Sequence, residues 1–469
     1  MKKLFALLLA ALMVITAVAC GSAEPAESKG EEKTSEAATE GDTSAAPATN
    51  KNLPTVEGDV EILFWDIATE DPNKTQHEDA VARFTADYPN VKVTEVHTQN
   101  DNYKQQLVIS MSSGSCPNMY IHWGGGPMAE YYKSGFVNDL TDLYNTYDHA
   151  DYIEAAMAQS TYDGKILAIP FGGLSGCDLF FNKTILDELG ISYPIEYLDE
   201  LEEACAKVKE AGYTPFALAN KSKWTGSMYY MYMVARHSGN EQFDAAYEQT
   251  GSFTSEAFIF ASDKIQDWVQ KGYFPDGVNS LSPDDGQDKQ LLYDGSAVFM
   301  LHGSWMASGM NTDNAEWYSQ NIGVMAWPKD REAEAAGVDQ KVEVGTAIGN
   351  GFSMNCFNAD GSVNENQLNA CYILATNYFS DQTWIDEKLS TGTIPSIEGC
   401  ADGIEDPNMK IVSDIFFSAT NVQLWYDQYL PASVTEVHKN CMTELFGLTN
   451  DGKGIGEEQD AAMQAEINK

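Results

Sequence analysis

The sequence predicts an α/β fold from end to end of its patterned part. Three observations carry this. A strand, a helix and a second strand follow one another within about forty residues, the length of a βαβ unit with a parallel sheet. Short apolar runs then alternate with helical patterns over the rest of the chain. Finally, Trp65, Trp123, Trp224 and Trp305 each fall at or just after the C-terminal end of a predicted strand. Open α/β sheets place their ligand sites outside those ends.

The elements follow in order. The run 60–65 (VEILFW) has the pattern of a buried strand ending on an aromatic. Asp71-Pro72 supply a cap and a proline at the first helical position. Ala80, Val81, Phe84 and Tyr88 recur at helical spacing, and Pro89 stops the helix. Val91, Val93 and Val96 form the next strand. A helix over 103–113 leads through Gly114 and Pro117 to a strand at 119–121, then to Trp123-Gly124-Gly125-Gly126-Pro127. The segment 130–143 is predicted helical. Strands are predicted at 165–170 and 178–181, and a helix at 183–189 closed by Gly190. The helix 198–211 has Leu201, Ala204, Cys205 and Val208 on its apolar side and Gly212 at its end. Further strands are predicted at 216–219, with Trp224 in the polar loop after it, at 298–301 feeding His302-Gly303-Ser304-Trp305, and at 346–348. The last predicted helix is 367–379, and no short-period repeat occurs.

The 469 residues suggest about two or three domains. The formal net charge is −42, from 70 acidic and 28 basic residues. Such a chain repels polyanions, which excludes nucleic acid as a partner. A free anionic ligand is disfavoured for the same reason, unless a local cationic pocket overrides the global field. Eight cysteines occur: Cys20, Cys116, Cys177, Cys205, Cys356, Cys371, Cys400 and Cys441. They are scattered, with no CxxC and no metal-ligand spacing, so neither a metal nor a cofactor is expected. Most are expected to be buried small apolar residues, with room for an isolated bridge.

The N-terminus is expected to be processed. Lys2 and Lys3 precede an uncharged apolar stretch, 4–18, too short to span a membrane confidently. Residues 1–19 are therefore predicted to be a signal peptide. Cys20 stands at the first mature position, followed by Gly21-Ser22, as in bacterial lipoproteins, and is the predicted lipid attachment; the alternative is plain cleavage and free secretion. From 21 to 52 there is no Val, Ile, Leu, Met or aromatic residue. Residues 20–55 are thus predicted to be a disordered, anchored linker with a reach of roughly 30 Å.

Several stretches resemble one family. Phe64-Trp65 after the first strand, the step 84–93 (FTADYPNVKV), Ser113-Gly114 with Pro117-Asn118, and 135–139 (GFVND) occur in order. They are followed by Asp163-Gly164-Lys165 with Ile169-Pro170, Phe181-Asn182-Lys183, 293–305 (YDGSAVFMLHGSW) and 392–395 (GTIP). This ordered set resembles the extracellular solute-binding proteins of ABC importers, in the branch of maltodextrin- and multiple-sugar-binding proteins. The resemblance implies a two-lobed, type II periplasmic-binding-protein-like fold, each lobe a mainly parallel sheet flanked by helices. It places lobe 1 at 56–171 plus 353–400 and lobe 2 at 177–347 plus 401–469. Hinge crossings fall near 171–177 and 347–352, with Gly172, Gly173, Gly349 and Gly351 as flexible positions. It implies a monomeric receptor, tethered to the outer face of a membrane, that passes a carbohydrate to an ABC permease.

Sugars present apolar C–H faces and rings of hydroxyls, so a site needs flat aromatic platforms and fixed hydrogen-bonding groups. Candidate ligand-binding residues are Trp65, Asp66, Trp123, Phe171, Trp224, Trp305, Trp425 and Asp427. Asp66 is equally suited to capping a turn; for Trp425 the alternative is packing of a C-terminal helix, and the family resemblance, which often puts an aromatic there, favours stacking. Glu70, Asp71, Asp178, His122 and His302 are secondary candidates. A surface glycoside hydrolase would also use aromatics and paired carboxylates, here Asp66 and Asp427. No nucleophile elbow, zinc-protease motif or P-loop accompanies them. Polyamine binding would suit the acidity, and a surface adhesin would hold an immobilised glycan without closing.

Overall fold

The computed structural model describes residues 51–467; the predicted signal peptide, Cys20 and most of the linker lie outside them. In chain order the strands are β1 Val60–Asp66, β2 Val91–His97, β3 Met119–His122, β4 Thr161–Tyr162, β5 Lys165–Ile166, β6 Ile169–Pro170 and β7 Ser175–Asn182. They continue with β8 Thr214–Phe216, β9 Ala297–Gly303, β10 Ile322–Met325, β11 Val342–Thr346, β12 Gly351–Met354 and β13 Asn421–Gln423. Two main sheets result, ordered β2-β1-β3-β12-β6 and β13-β11-β7-β9-β8, with β10 alongside β7; β4 and β5 form a hairpin of their own.

The βαβ unit is as predicted: β1 and β2 pair in parallel around the helix Asn73–Asp87. Parallel pairing does not extend to every neighbour. β12 runs against β3 and β6, and β7 runs against β9, β10 and β11. The reason is the route of the chain. β7 and β12 are reached directly from the other sheet, across 171–174 and 347–350. They enter at the edge where β3, β9 and β11 end, and so run opposite to them.

Four other elements differ from expectation. In place of one helix over 130–143, a helix spans Gly125–Lys133 and stops at Gly135, whose φ is +79°. The chain beyond is irregular up to a short helix at Thr141–Thr146, with the Asn138 amide donating to Met354 and the Leu140 amide to Ile166. Trp224 is not in a loop; it begins the helix Trp224–Ser238, which is buried from Thr225 to Arg236. A helix buried all round shows no amphipathic period along its sequence. The strand expected at 216–219 ends at Phe216, and the one expected at 346–348 is displaced to 342–346.

The cysteines behave as small apolar residues. Among the described residues all seven are free thiols, six of them buried, and Cys356 and Cys371 face each other with sulfurs 3.8 Å apart.

Candidate functional site

Where β3, β9 and β11 end and β7 begins, the structure encloses a cavity of about 660 Å³. Ile121, Ser175, His302 and Thr346 bring both sheets to its wall. This is the location that strand ends in an α/β sheet dictate, and the size is that of small-ligand sites.

One wall is aromatic. Trp305 follows β9 and is 43% exposed, a large apolar surface facing the cavity. Its ring centre lies 6.1 Å from Trp224 and 6.0 Å from Trp425, the latter edge-on. His302 wedges edge-on between Trp224 and Trp305, at 5.4 and 5.3 Å. On the side of the first sheet Trp123 lines the cavity, braced edge-on by Tyr103. Phe171 also lines it, stacked at 3.7 Å on Phe352, so it belongs to core and cavity at once.

The polar groups span the two sides. Lys104 Nζ stands 4.6 Å over the Trp123 ring and 3.9 Å from the Asp427 carboxylate. Burial pulls the Lys104 ammonium below its ordinary range, partly offset by Asp427. Gln428 donates to Asp427 at 3.0 Å. The Asp101 amide donates to Asp284 at 3.2 Å, while the Asp101 carboxylate accepts from Ser222. Further along, the Ala432 amide donates to Glu130 at 3.0 Å. Amides of Asn73, Asn100, Gln290 and Asn350 and the hydroxyls of Ser175 and Ser304 are among the cavity's polar lining. Flat rings facing hydrogen-bonding side chains suit a ligand with apolar faces and a polar rim.

Six of the eight predicted ligand contacts therefore line one cavity: Trp123, Phe171, Trp224, Trp305, Trp425 and Asp427. Trp65 and Asp66 do not. Trp65 packs against the first hydrophobic core. Asp66 is 1% exposed and is held by His77 at 2.8 Å and His97 at 2.6 Å, while capping the Ala68 amide. Burial alone would raise its carboxyl, but the two imidazoles overcome this and hold it well below the usual carboxylate range. An Asp66–Asp427 catalytic pair thus has no cavity-facing Asp66. Of the secondary candidates, Glu70, Asp71 and His302 line the cavity, while Asp178 and His122 are buried away from it. Lys104, His77, Asn73 and Lys388 are cavity residues that sequence reasoning missed. Each is a single polar residue on a helix, without a motif around it.

The two crossings lie side by side. Phe171 and Gly172 amides both donate to the Asn350 carbonyl, and the Leu174 amide to Ile394. Gly173 and Gly349 take φ of +99° and +58°, and a Cβ on Gly349 would meet the Gly173 carbonyl at 2.3 Å. Gly351 is already within β12, paired with Pro170 and His122, and is not part of the crossing.

Two α/β sheets joined by short adjacent crossings beside a ligand-sized cavity have the architecture of two-lobed solute receptors. The chain belongs to the bacterial extracellular solute-binding protein family, whose sequence model matches residues 69–356. Among curated relatives it is 24% identical, over 53% of its length, to an uncharacterized ABC transporter extracellular-binding protein of Pyrococcus horikoshii. It is 21% identical, over 49%, to a xylose/arabinose-binding protein of Haloferax volcanii. The chain spans about half the length of the curated relatives it matches: 56% and 49% for these two. Among solved structures, one described under xylan utilization by Caldanaerobius polysaccharolyticus matches with a TM-score of 0.75 at 24% identity, covering 87% of this chain and all of that one. A chitin oligosaccharide binding protein gives the same score at 21% identity and the same coverage. These likenesses establish the fold.

Proposed function

We propose that this protein captures a carbohydrate between its two lobes and hands it to an ABC permease, without chemical turnover. The observation that carries the reading is the exposed Trp305 ring, framed by Trp224 and Trp425 in one cavity that Asp427, Gln428 and Asn350 also line. Indole faces stack on sugar C–H faces, and carboxylates and amides take hydroxyls. The names of its structural neighbours support it: xylan utilization, chitin oligosaccharide and raffinose.

In this reading lobe 1 comprises 56–171 plus 353–400 and lobe 2 comprises 177–347 plus 401–469. They close about Gly172, Gly173 and Gly349, and the contacts Asp101–Asp284 and Glu130–Ala432 latch the closed form. The mature chain starts at a lipid-modified Cys20, and residues 21–55 let a monomer stand off the outer face of the membrane. Tethering raises its effective concentration at the permease.

Titration calorimetry and thermal melts with neutral mono- and oligosaccharides test this. The expected result is saturable binding, a melting temperature that climbs with ligand concentration, and no release of reducing ends. A melt shifted by a polyamine and by no sugar overturns it. The mass of the mature N-terminus tests the anchor, since an unmodified Cys20 removes it.

A further inference from the structure

Three lysines line the cavity. Two of them face carboxylates: Lys104 stands 3.9 Å from Asp427, and Lys289 stands 2.8 Å from Asp313. The third, Lys388, does not. It lies on the helix Gln382–Ser390 and is 4% exposed. Among the described residues its Nζ donates to the Asn73 amide oxygen at 2.9 Å, sits 4.2 Å over the Trp384 ring, and has no carboxylate within ion-pair distance.

The carboxylates nearest in effect are already engaged. Glu387 meets Arg83 at 3.9 Å, and Asp66 lies between His77 and His97. His77, the cavity-lining imidazole on the neighbouring helix, is held below its ordinary range by burial, with Asp66 opposing. Glu70 and Asp71 also line the cavity but are exposed, and Asp71 is occupied by Thr75. A buried ammonium without a counter-ion is costly, and a protein keeps one where something else supplies the charge. The overall charge of −42 makes a cationic spot here the more specific.

We propose that Lys388, with Asn73 beside it, receives an acidic group on the bound carbohydrate, the carboxylate of a hexuronate residue. This rests on the carbohydrate reading and narrows it to acidic sugars. Asn73 holds Nζ through one of its protons, and the other two are left to reach a carboxylate. Burial holds the amine at about 7, which Glu387 and Asp66 only partly offset. Near neutrality the empty site is therefore partly uncharged and takes up a proton as the anion enters.

The test uses short oligosaccharides ending in glucuronate, galacturonate or mannuronate, each beside its carboxyl-reduced twin, titrated calorimetrically into the wild type and Lys388→Gln. At least one acidic member is expected to bind the wild type tenfold or more tightly than its twin. Lys388→Gln is expected to shrink that ratio below threefold, with the larger loss of affinity falling on the acidic member. At pH 7.5 the heat for the acidic member is expected to vary with the buffer's ionisation enthalpy, and that for the twin not to. This last readout needs no variant, so it stands if Lys388→Gln folds poorly. The inference is overturned if no acidic member outbinds its twin, or if the preference survives in Lys388→Gln. If neutral sugars bind without such a preference, the carbohydrate reading stands and the inference alone falls. If no sugar of either kind binds, both fall.

Discussion

The indole of Trp305 lies directly against Gly303: a Cβ built on Gly303 would stand 2.0 Å from the ring. The glycine that ends β9 is thus what allows the largest exposed aromatic surface of the cavity to lie flat.

Gly303→Ala is therefore expected to push the Trp305 ring off its seat. Carbohydrate affinity should drop about tenfold, or about 1.4 kcal/mol. Trp305→Ala should cost at least as much, and adding Gly303→Ala to it should change little, because both remove one platform. Calorimetry on the double-mutant cycle checks this. Fully additive losses would mean that Gly303 acts independently of the ring.

Asp66→Asn should damage stability and spare binding. It removes the charge that two imidazoles hold, and breaking such a buried pair costs about 3 kcal/mol. The Asp66 carboxyl is depressed in the folded protein. Its contribution is thus present above the unfolded value of about 3.9 and is lost as pH falls through the lower folded value. Urea melts should show a gap between wild type and variant at pH 7 that narrows in acid, with sugar Kd unchanged within twofold.

Glu343 should make the protein less stable in mild alkali. Its carboxyl accepts from the Cys177 amide at 3.0 Å where β7 and β11 part company, close to the unpartnered oxygens of buried Asp178. Burial pushes Glu343 up to about 8, with Arg236 opposing, and burial likewise raises Asp178. The folded state then holds more protons than the unfolded chain between the ordinary value of 4.5 and about 8. Stability must fall as pH rises through that window. Thermal melts from pH 5 to 8.5 should show the decline, and Glu343→Gln should flatten it while keeping an acceptor for the Cys177 amide. An equal slope in the variant would assign the decline elsewhere.

Gly349→Ala should impair closure. The residue sits at φ +58° with the Gly173 carbonyl in the place a Cβ would take. A strained backbone of this kind costs about 1–3 kcal/mol. Small-angle scattering should show the wild type compacting on adding sugar and the variant compacting less at the same concentration. Identical compaction would place the hinge elsewhere.

The α/β class, the first βαβ unit and the aromatic residues after strand ends are all legible in the amino-acid order. Those signals are local: apolar period, Pro and Gly punctuation, and a Trp next to a strand. Trp123 and Trp305 were legible because position after a strand is enough to place a residue at a sheet edge. The tertiary structure decided the rest. Trp65 and Trp123 look alike in the sequence, yet only Trp123 lines the cavity, since β1 turns Trp65 against the core. Asp66 looked like a ligand carboxylate until its two imidazoles, 11 and 31 residues away, closed on it. Lys388 has no signal at all. Its meaning comes from Asn73, 315 residues earlier, and from the lack, among the described residues, of a carboxylate within ion-pair distance, which only packing in three dimensions can establish. The antiparallel course of β7 and β12 has the same origin, because the direction of a strand depends on which sheet the chain has just left.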